Sequence, residues 1–275
     1  MKNLIVRSVS GIVYVALIVL AICGGFNWFG ALMGLFSVLA IIEFQRLVTP
    51  PGIMAARLMA HALDVVTGLW MAVSFLFDLD VMIISLLFIP VYLVLRFVLA
   101  LYDKGPNPFR AAALSVMSLA YIAFGLASAT VAYMVSVESY SYLVVLMMFV
   151  MIWLNDTGAF CFGSLLGRHR LFERLSPKKS WEGFWGGFLC TIAAGVAAYY
   201  ILPAVQMPLW GWVLMGALVS VFSTWGDLFE SLLKRNLGVK DSGHLIPGHG
   251  GILDRIDSLL FVAPVVMLLL IMLSF

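Results

Sequence analysis

Apolar positions in this chain run on without interruption instead of alternating. Stretches of about twenty hydrophobic residues recur from end to end, near 8–25, 27–46, 57–77, 80–102, 111–135, 141–163, 181–203, 209–233 and 252–274. A helix needs roughly 20 such residues to cross a hydrocarbon core about 30 Å thick, so the pattern predicts nine transmembrane helices. Barrel strands would show a period of two, whereas continuous apolar runs must satisfy their backbone polar groups internally, as helices do. The expected fold class is therefore all-α, a polytopic integral membrane protein with about nine spans. The first run follows Lys2 and Arg7 as in a signal peptide. It lacks a small-residue cleavage site and runs on into a second span, so it is read as a retained helix.

Composition removes the water-soluble alternatives. Hydrophobic residues make up 63% of the chain and charged residues 11%, against about 25% charged in soluble domains. A net charge of +2 adds little, but the distribution of charge does. With nine spans, all 16 Lys and Arg fall on the side of the N-terminus, while Asp78, Asp80 and Glu138 are the charges of the opposite connections. Positive residues gather in cytoplasmic loops, so the N-terminus is expected in the cytoplasm and the C-terminus outside. Arg96 lies inside a predicted span near its cytoplasmic end, where a long side chain can reach the headgroups. Cys23, Cys161 and Cys190 have no paired spacing and read as small core residues. His61 and Asp64 stand three apart on the third span and are expected to make a polar contact.

Chemistry concentrates in the second half, which divides the chain into an accessory transmembrane region, 1–140, and a catalytic one, 141–275. A first cluster, Asn155 and Asp156, sits within a span and reads either as an interhelical clamp or as a binding element. In a second, Ser176 to Gly183, Ser180 suits a helix cap, and Lys178 and Lys179 suit anionic headgroups. The third begins with Asp227, Glu230 or Ser231, and Lys234, which share one helical face and should line a hydrated pocket. Arg235 and Lys240 follow, then a turn rich in glycine that includes Gly250 and Gly251. Its spacing is not that of a P-loop. Asp254 and Asp257 then stand three apart in the first turn of the last span, an unfavourable pairing unless a cation offsets it. Carboxylate oxygens of this kind suit Mg²⁺ completed by substrate phosphates, and neighbouring Lys and Arg would hold the remaining phosphate charge. A phosphate-handling site in a membrane enzyme is the conclusion from the residues alone.

Three segments carry a resemblance. They are Asn155-Asp156-Thr157-Gly158-Ala159-Phe160, Ser176-Pro177-Lys178-Lys179-Ser180-Trp181-Glu182-Gly183, and a long signature in the third cluster. The signature reads Ser231-x-Leu233-Lys234-Arg235, Lys240-Asp241, then Pro247-x-His249-Gly250-Gly251-x-x-Asp254-Arg255-x-Asp257. Together they resemble the phosphatidate cytidylyltransferases, also called CDP-diacylglycerol synthases, over about residues 150–260. Ser180 stands where many relatives have Thr, which keeps the hydroxyl. The resemblance implies transfer of CMP from CTP to phosphatidate, giving CDP-diacylglycerol and pyrophosphate, in the bacterial inner membrane with the active site cytoplasmic. It implies a catalytic set of Asp227, Lys234, Asp254 and Asp257, with Asp227 and Asp254 leading the Mg²⁺ ligands and Asp257 ligating or ordering that centre. It also suggests a second cation such as K⁺. Substrate contacts are expected from Asn155, Asp156, Lys178, Lys179, Lys234, Arg235, Lys240, His249, Gly250, Gly251 and Arg255. Besides CTP and phosphatidate, membrane lipids are expected partners, nucleic acid is not, and a homodimer is compatible with the chain. Two alternatives stay open. A transporter would carry charges near the bilayer midplane and repeat symmetry, and a CTP-dependent lipid kinase would release CDP.

Overall fold

A computed structural model describes residues 2–48, 55–77, 79–135, 141–243, 245 and 250–273. Its elements are α1 (Lys2–Cys23), α2 (Phe26–Val48), α3 (Ala55–Val73), α4 (Leu79–Tyr102), α5 (Pro108–Ser118), α6 (Phe124–Val135), α7 (Ser141–Leu166), strands β1 (Arg170–Phe172) and β2 (Ser176–Ser180), α8 (Trp181–Ile201), α9 (Leu209–Asn236) and α10 (Leu253–Leu273). A π-helical turn, Leu119–Ala123, joins α5 to α6 into one rod. The chain is thus an all-α polytopic membrane protein. Seven of its rods are long and apolar enough to cross a bilayer, while the described apolar stretches of α1 and α4 are shorter, Ser8–Cys23 and Leu87–Tyr102. The outward surface agrees with a lipid solvent, since Leu101 and Leu165 are each 82% exposed and Phe160 75%. Two of the three cysteines expected in the core, Cys23 and Cys161, lie on this exposed surface instead.

The chain forms two compact units, one of residues 1–130 with 241–255 and the other of 131–240 with 256–275. In the first, Phe29, Met33, Ile41, Phe44, Ile122 and Leu126 are wholly buried. Several charged and polar groups inside it are paired with one another. Asp64 accepts hydrogen bonds from Tyr92 Oη at 2.7 Å and Gln45 Nε2 at 2.9 Å. Gln45 also donates to the His61 carbonyl at 3.3 Å, so it links the two residues expected to meet on α3. Arg96 does not reach for headgroups. It is 4% exposed and turned inward, with Nη2 donating to Ser115 Oγ at 2.9 Å and Nε 3.7 Å from Asp64, because a carboxylate within the unit is a better partner for a buried cation than a distant interface.

Just beyond α4, Asp103 receives Arg57 Nε at 3.1 and 2.9 Å on its two oxygens, and the Gly105 amide at 2.8 Å. Burial pushes its acidity constant up, but the Arg57 hydrogen bond, the Gly105 amide and the nearby guanidinium charges outweigh that and hold the carboxyl below its usual 3.8. Asn107 caps α5 by accepting from the Arg110 amide at 3.1 Å, with Pro108 in the first turn.

The second unit is built on close helix approach. A Cβ added to Gly187 would lie 2.7 Å from Asn155 Oδ1, and one added to Gly226 would lie 2.6 Å from the Asp257 carbonyl. Small residues therefore let α8 meet α7, and α10 meet α9, nearly backbone to backbone, which is how helices associate where lipid provides no hydrophobic drive between them. The hairpin of β1 and β2 is antiparallel, pairing Arg170 with Ser180 and Phe172 with Ser176. Pro177 is tolerated because each strand of this two-stranded sheet is an edge.

Candidate active site

The hairpin and three helices of the second unit enclose a cavity of about 240 Å³, and its wall brings together two of the polar clusters and the start of the third. Asn155 and Asp156 come from α7, Lys178, Lys179 and Ser180 from β2, Gly183 from α8, and Thr224 and Asp227 from α9. Each is placed by a local feature of the sequence. Ser180 is the N-cap of α8, as expected, its hydroxyl accepting from the Gly183 amide at 3.1 Å. Glu182 ties down the base of the hairpin by accepting from the amides of Arg168 at 3.1 Å and His169 at 3.2 Å, and by meeting His169 Nδ1 at 2.7 Å. That gives this acidic residue of the first helical turn a structural role and leaves the two lysines to face the cavity.

Asn155 is 3% exposed, and its Oδ1 accepts from Ser220 Oγ at 2.7 Å. Of the two roles open to it in the sequence, the clamp between α7 and α9 is realised here. Its neighbour Asp156 is exposed. Lys179 Nζ lies 2.7 Å from Asp227 Oδ2, and Ser231 Oγ donates to Asp227 Oδ1 at 3.3 Å. In the second turn of α10, Asp257 is half-buried and feels the charges of Asp227 and Asp156, which Lys179 opposes. Three carboxylates thus stand close enough to repel one another, beside a wall that carries Lys178 and Lys179.

Further along α9, the expected shared face is present. Lys234 Nζ pairs at 2.6 Å with Glu230, which is 1% exposed. The helix ends in a Schellman motif, with Gly238 at φ +70° and the Val239 amide bonded to the Lys234 carbonyl at 3.0 Å. This leaves Arg235 and Lys240 exposed. Neither they nor Lys234 line the cavity.

Asp254, Arg255, Gly250 and Gly251 belong to the first unit, and His249 lies outside the described residues. Asp254 Oδ2 accepts from the amides of Gly251 at 2.8 Å and Ser242 at 3.0 Å, across a turn in which Gly250 has φ +85°. The Arg255 side chain is exposed, and its carbonyl accepts from Tyr14 Oη at 2.9 Å. Sequence reasoning missed the residue that organises this turn, Glu43 of α2. Its carboxylate, 8% exposed, accepts from the amides of Ile252 at 2.9 Å and Leu253 at 3.1 Å and from the Ser242 hydroxyl. Gly251 and Gly243 press so closely on it that a Cβ on either would lie 2.0 or 2.6 Å from a Glu43 oxygen. Glu43 is in effect the N-terminal cap of α10, favoured by its negative charge. The signal was available, because a carboxylate within an apolar span demands a partner.

Among the described residues, no three His, Cys, Asp or Glu side chains form a ready-made metal cage. The second unit instead offers hard oxygen donors, Asp227 and Asp257 with Asp156 close by, whose mutual repulsion a cation would relieve. That fits Mg²⁺, which takes one or two carboxylates and completes its shell with water and phosphate.

Known proteins agree with this picture. The model of the cytidylyltransferase family matches residues 5–273. A phosphatidate cytidylyltransferase of Staphylococcus haemolyticus is 34% identical over 249 residues, 88% of each chain. Those of Staphylococcus epidermidis and Staphylococcus aureus are 42% identical over 169 and 171 residues, 62% of this chain, and the matched part spans 63% of each relative's length. With a match running nearly from end to end, the chain belongs to the cytidylyltransferase family.

Proposed function

We propose that this protein transfers CMP from CTP to phosphatidate, forming CDP-diacylglycerol and releasing pyrophosphate. The observation that carries the reading is the cavity of the second unit, where Lys179 meets Asp227 at 2.7 Å beside Asp257 and Asp156, with Lys178 on the same wall. The names of the relatives support the substrates, and the apolar surface supports a lipid acceptor. In the reaction a phosphate oxygen of phosphatidate attacks the α-phosphorus of CTP, the bond to the β-phosphate oxygen breaks, and pyrophosphate leaves with that electron pair. No covalent enzyme intermediate is needed. Lys178 and Lys179 act as point charges on the phosphates, and the exposed Arg235, in the last turn of α9, and Lys240, beyond it, add to the attraction of the nucleotide. Asp227 and Asp257 would hold Mg²⁺, which when bound supplies charge neutralisation and helps the pyrophosphate to depart. Asn155 and Ser220 keep α7 and α9 in register, so that Asp156 and Asp227 stay on one cavity.

CTP is soluble and phosphatidate stays in the leaflet, so the cavity belongs near a membrane surface, and we assign it to the cytoplasmic side with the N-terminus. The one-sided distribution of Lys and Arg supports that assignment. Single cysteines placed beside Asp78 and Glu138 in a cysteine-free background should react with an impermeant reagent on intact cells. Labelling only after the membrane is opened would reverse the orientation. The reaction itself is tested with CTP labelled at either the α- or the γ-phosphorus, incubated with purified protein, phosphatidate and Mg²⁺. Label should enter the lipid from the α position only, with γ-label recovered as pyrophosphate. Transfer of γ-label to lipid would make the protein a lipid kinase instead.

A further inference from the structure

The first unit contains a second, independent cavity, of about 170 Å³, which the proposed reaction does not use. It opens where the end of α2, the start of α3, the end of α4 and the first turn of α5 meet. Its charged wall is cationic, with Arg57, Arg96 and Arg110, the imidazole of His61 adds a polar group, and among the described residues no carboxylate lines it. Asp103 and Asp64 engage Arg57 and Arg96 from outside this lining. Arg110, exposed at the rim, has no carboxylate at ion-pair distance among the described residues. Arg96 is 4% exposed, yet its Nε–H meets no hydrogen-bond acceptor among the described residues, Asp64 standing 3.7 Å away. Asp64 balances the charge of this guanidinium, but its Nε–H makes no hydrogen bond, and a further oxygen acceptor would satisfy it.

Chemistry narrows the occupant. Three guanidinium groups converging on one small space suit a tetrahedral oxyanion, because their planar forks bind phosphate oxygens in pairs. The first turn of α5 lines the same cavity through Asn107, Arg110 and Ala111, and its partial positive charge favours the same sign of ligand. Phe44, Val48 and Leu114 add an apolar lining that a free inorganic anion would not use. Gly105 permits the construction, since a Cβ there would lie 1.6 Å from Arg57 Nη2. We infer that this cavity binds the phosphate of an anionic lipid headgroup, a site in the N-terminal unit separate from the reaction cavity.

The test uses the full-length protein in an uncharged detergent, titrated with dihexanoylphosphatidylglycerol, with inorganic phosphate, or with uncharged dihexanoylglycerol, and followed by thermal unfolding. The phosphodiester lipid should raise the unfolding temperature saturably, at a midpoint about tenfold below that of inorganic phosphate, a difference of about 1.4 kcal/mol, and the uncharged lipid should do nothing. Arg110→Gln should shift the lipid midpoint by about tenfold or more. Ala111→Trp keeps every charge and fills the cavity, and should abolish the effect, whereas Lys179→Gln, in the other unit, should leave the midpoint in place. Stabilisation by phosphate but not by lipid would overturn the headgroup assignment. Equal midpoints in wild type, Arg110→Gln and Ala111→Trp, all three folded, would overturn the site.

Discussion

The buried network of the first unit and the cavity of the second hold their carboxylates in opposite ways. In the first, Glu43, Asp64 and Asp103 each receive two or more hydrogen bonds from groups of the same unit. Beside the cavity of the second, Asp227, Asp257 and Asp156 stand close enough to repel one another, with Lys179 paired to Asp227. Carboxylates enclosed by donors hold structure, and mutually repelling ones beside a cavity suit a cation or a phosphate group. The same residue type thus serves architecture at Glu43, Asp64 and Asp103, and at Glu182 of the second unit, while Asp227, Asp257 and Asp156 are the candidates for chemistry.

The largest expected effect follows from the second unit. Asp227→Asn should lower transfer to phosphatidate by about 10²-fold or more, the scale seen when a group that stabilises developing charge is removed, while the unfolding temperature stays level or rises because repulsion with Asp257 is relieved. Turnover near that of wild type would remove Asp227 from the reaction. Glu43→Gln should behave in the opposite manner, destabilising by about 1–3 kcal/mol through the loss of charged acceptance at the start of α10, and its amides at Ile252 and Leu253 should exchange faster with deuterium. Unchanged exchange there would show that the turn does not depend on Glu43.

Next comes Gly226→Ala, whose added Cβ would lie 2.6 Å from the Asp257 carbonyl. Forcing α9 and α10 apart should destabilise by about 1–3 kcal/mol and reduce turnover with it, and a variant as stable and as active as wild type would deny the close contact. Ser220→Ala removes the hydrogen bond to Asn155 and should lower stability by only about 0.5–2 kcal/mol. The smallest effect concerns pH. The folded acidity constant of Asp103 lies below its usual 3.8, so its pairing stabilises above that value and is lost as the pH falls through the lowered one. Melting temperature should therefore drop more steeply on acidification below about pH 4 in wild type than in Asp103→Asn. Parallel curves would assign the acid lability to other groups.

Much of the fold was legible because hydrophobic runs report the solvent directly. Seven predicted spans have counterparts long enough to cross a bilayer, and Ser180 capped its helix as its position before Trp181 suggested. Asp227 and Ser231, one turn apart, met on one face as helical spacing requires. What was not legible depends on partners distant in sequence. Lys179 reaches Asp227 because a short hairpin folds back after α7, and a five-residue strand containing Pro177 carries little strand signal. Arg96 near the end of its span read as a headgroup contact, since nothing local disclosed Asp64, 32 residues before it on another helix. Glu43 was overlooked for the same reason, its donors lying some two hundred residues later. The pattern separates the two units again. Clusters dense in sequence pointed to the cavity of the second unit, whereas single charges spread through apolar spans concealed the paired network of the first.

The central claim is that the carboxylates of the second unit form the cation-dependent centre of CMP transfer. It is tested most directly by stripping the purified protein of metal, adding Mg²⁺ stepwise, and following α-labelled CMP into lipid for wild type and Asp227→Asn side by side. No transfer is expected without metal; wild type should saturate, and Asp227→Asn should give a curve displaced to about tenfold or more higher Mg²⁺ with a lower plateau. Full transfer in the presence of chelator, or superimposable curves for the two proteins, would contradict it.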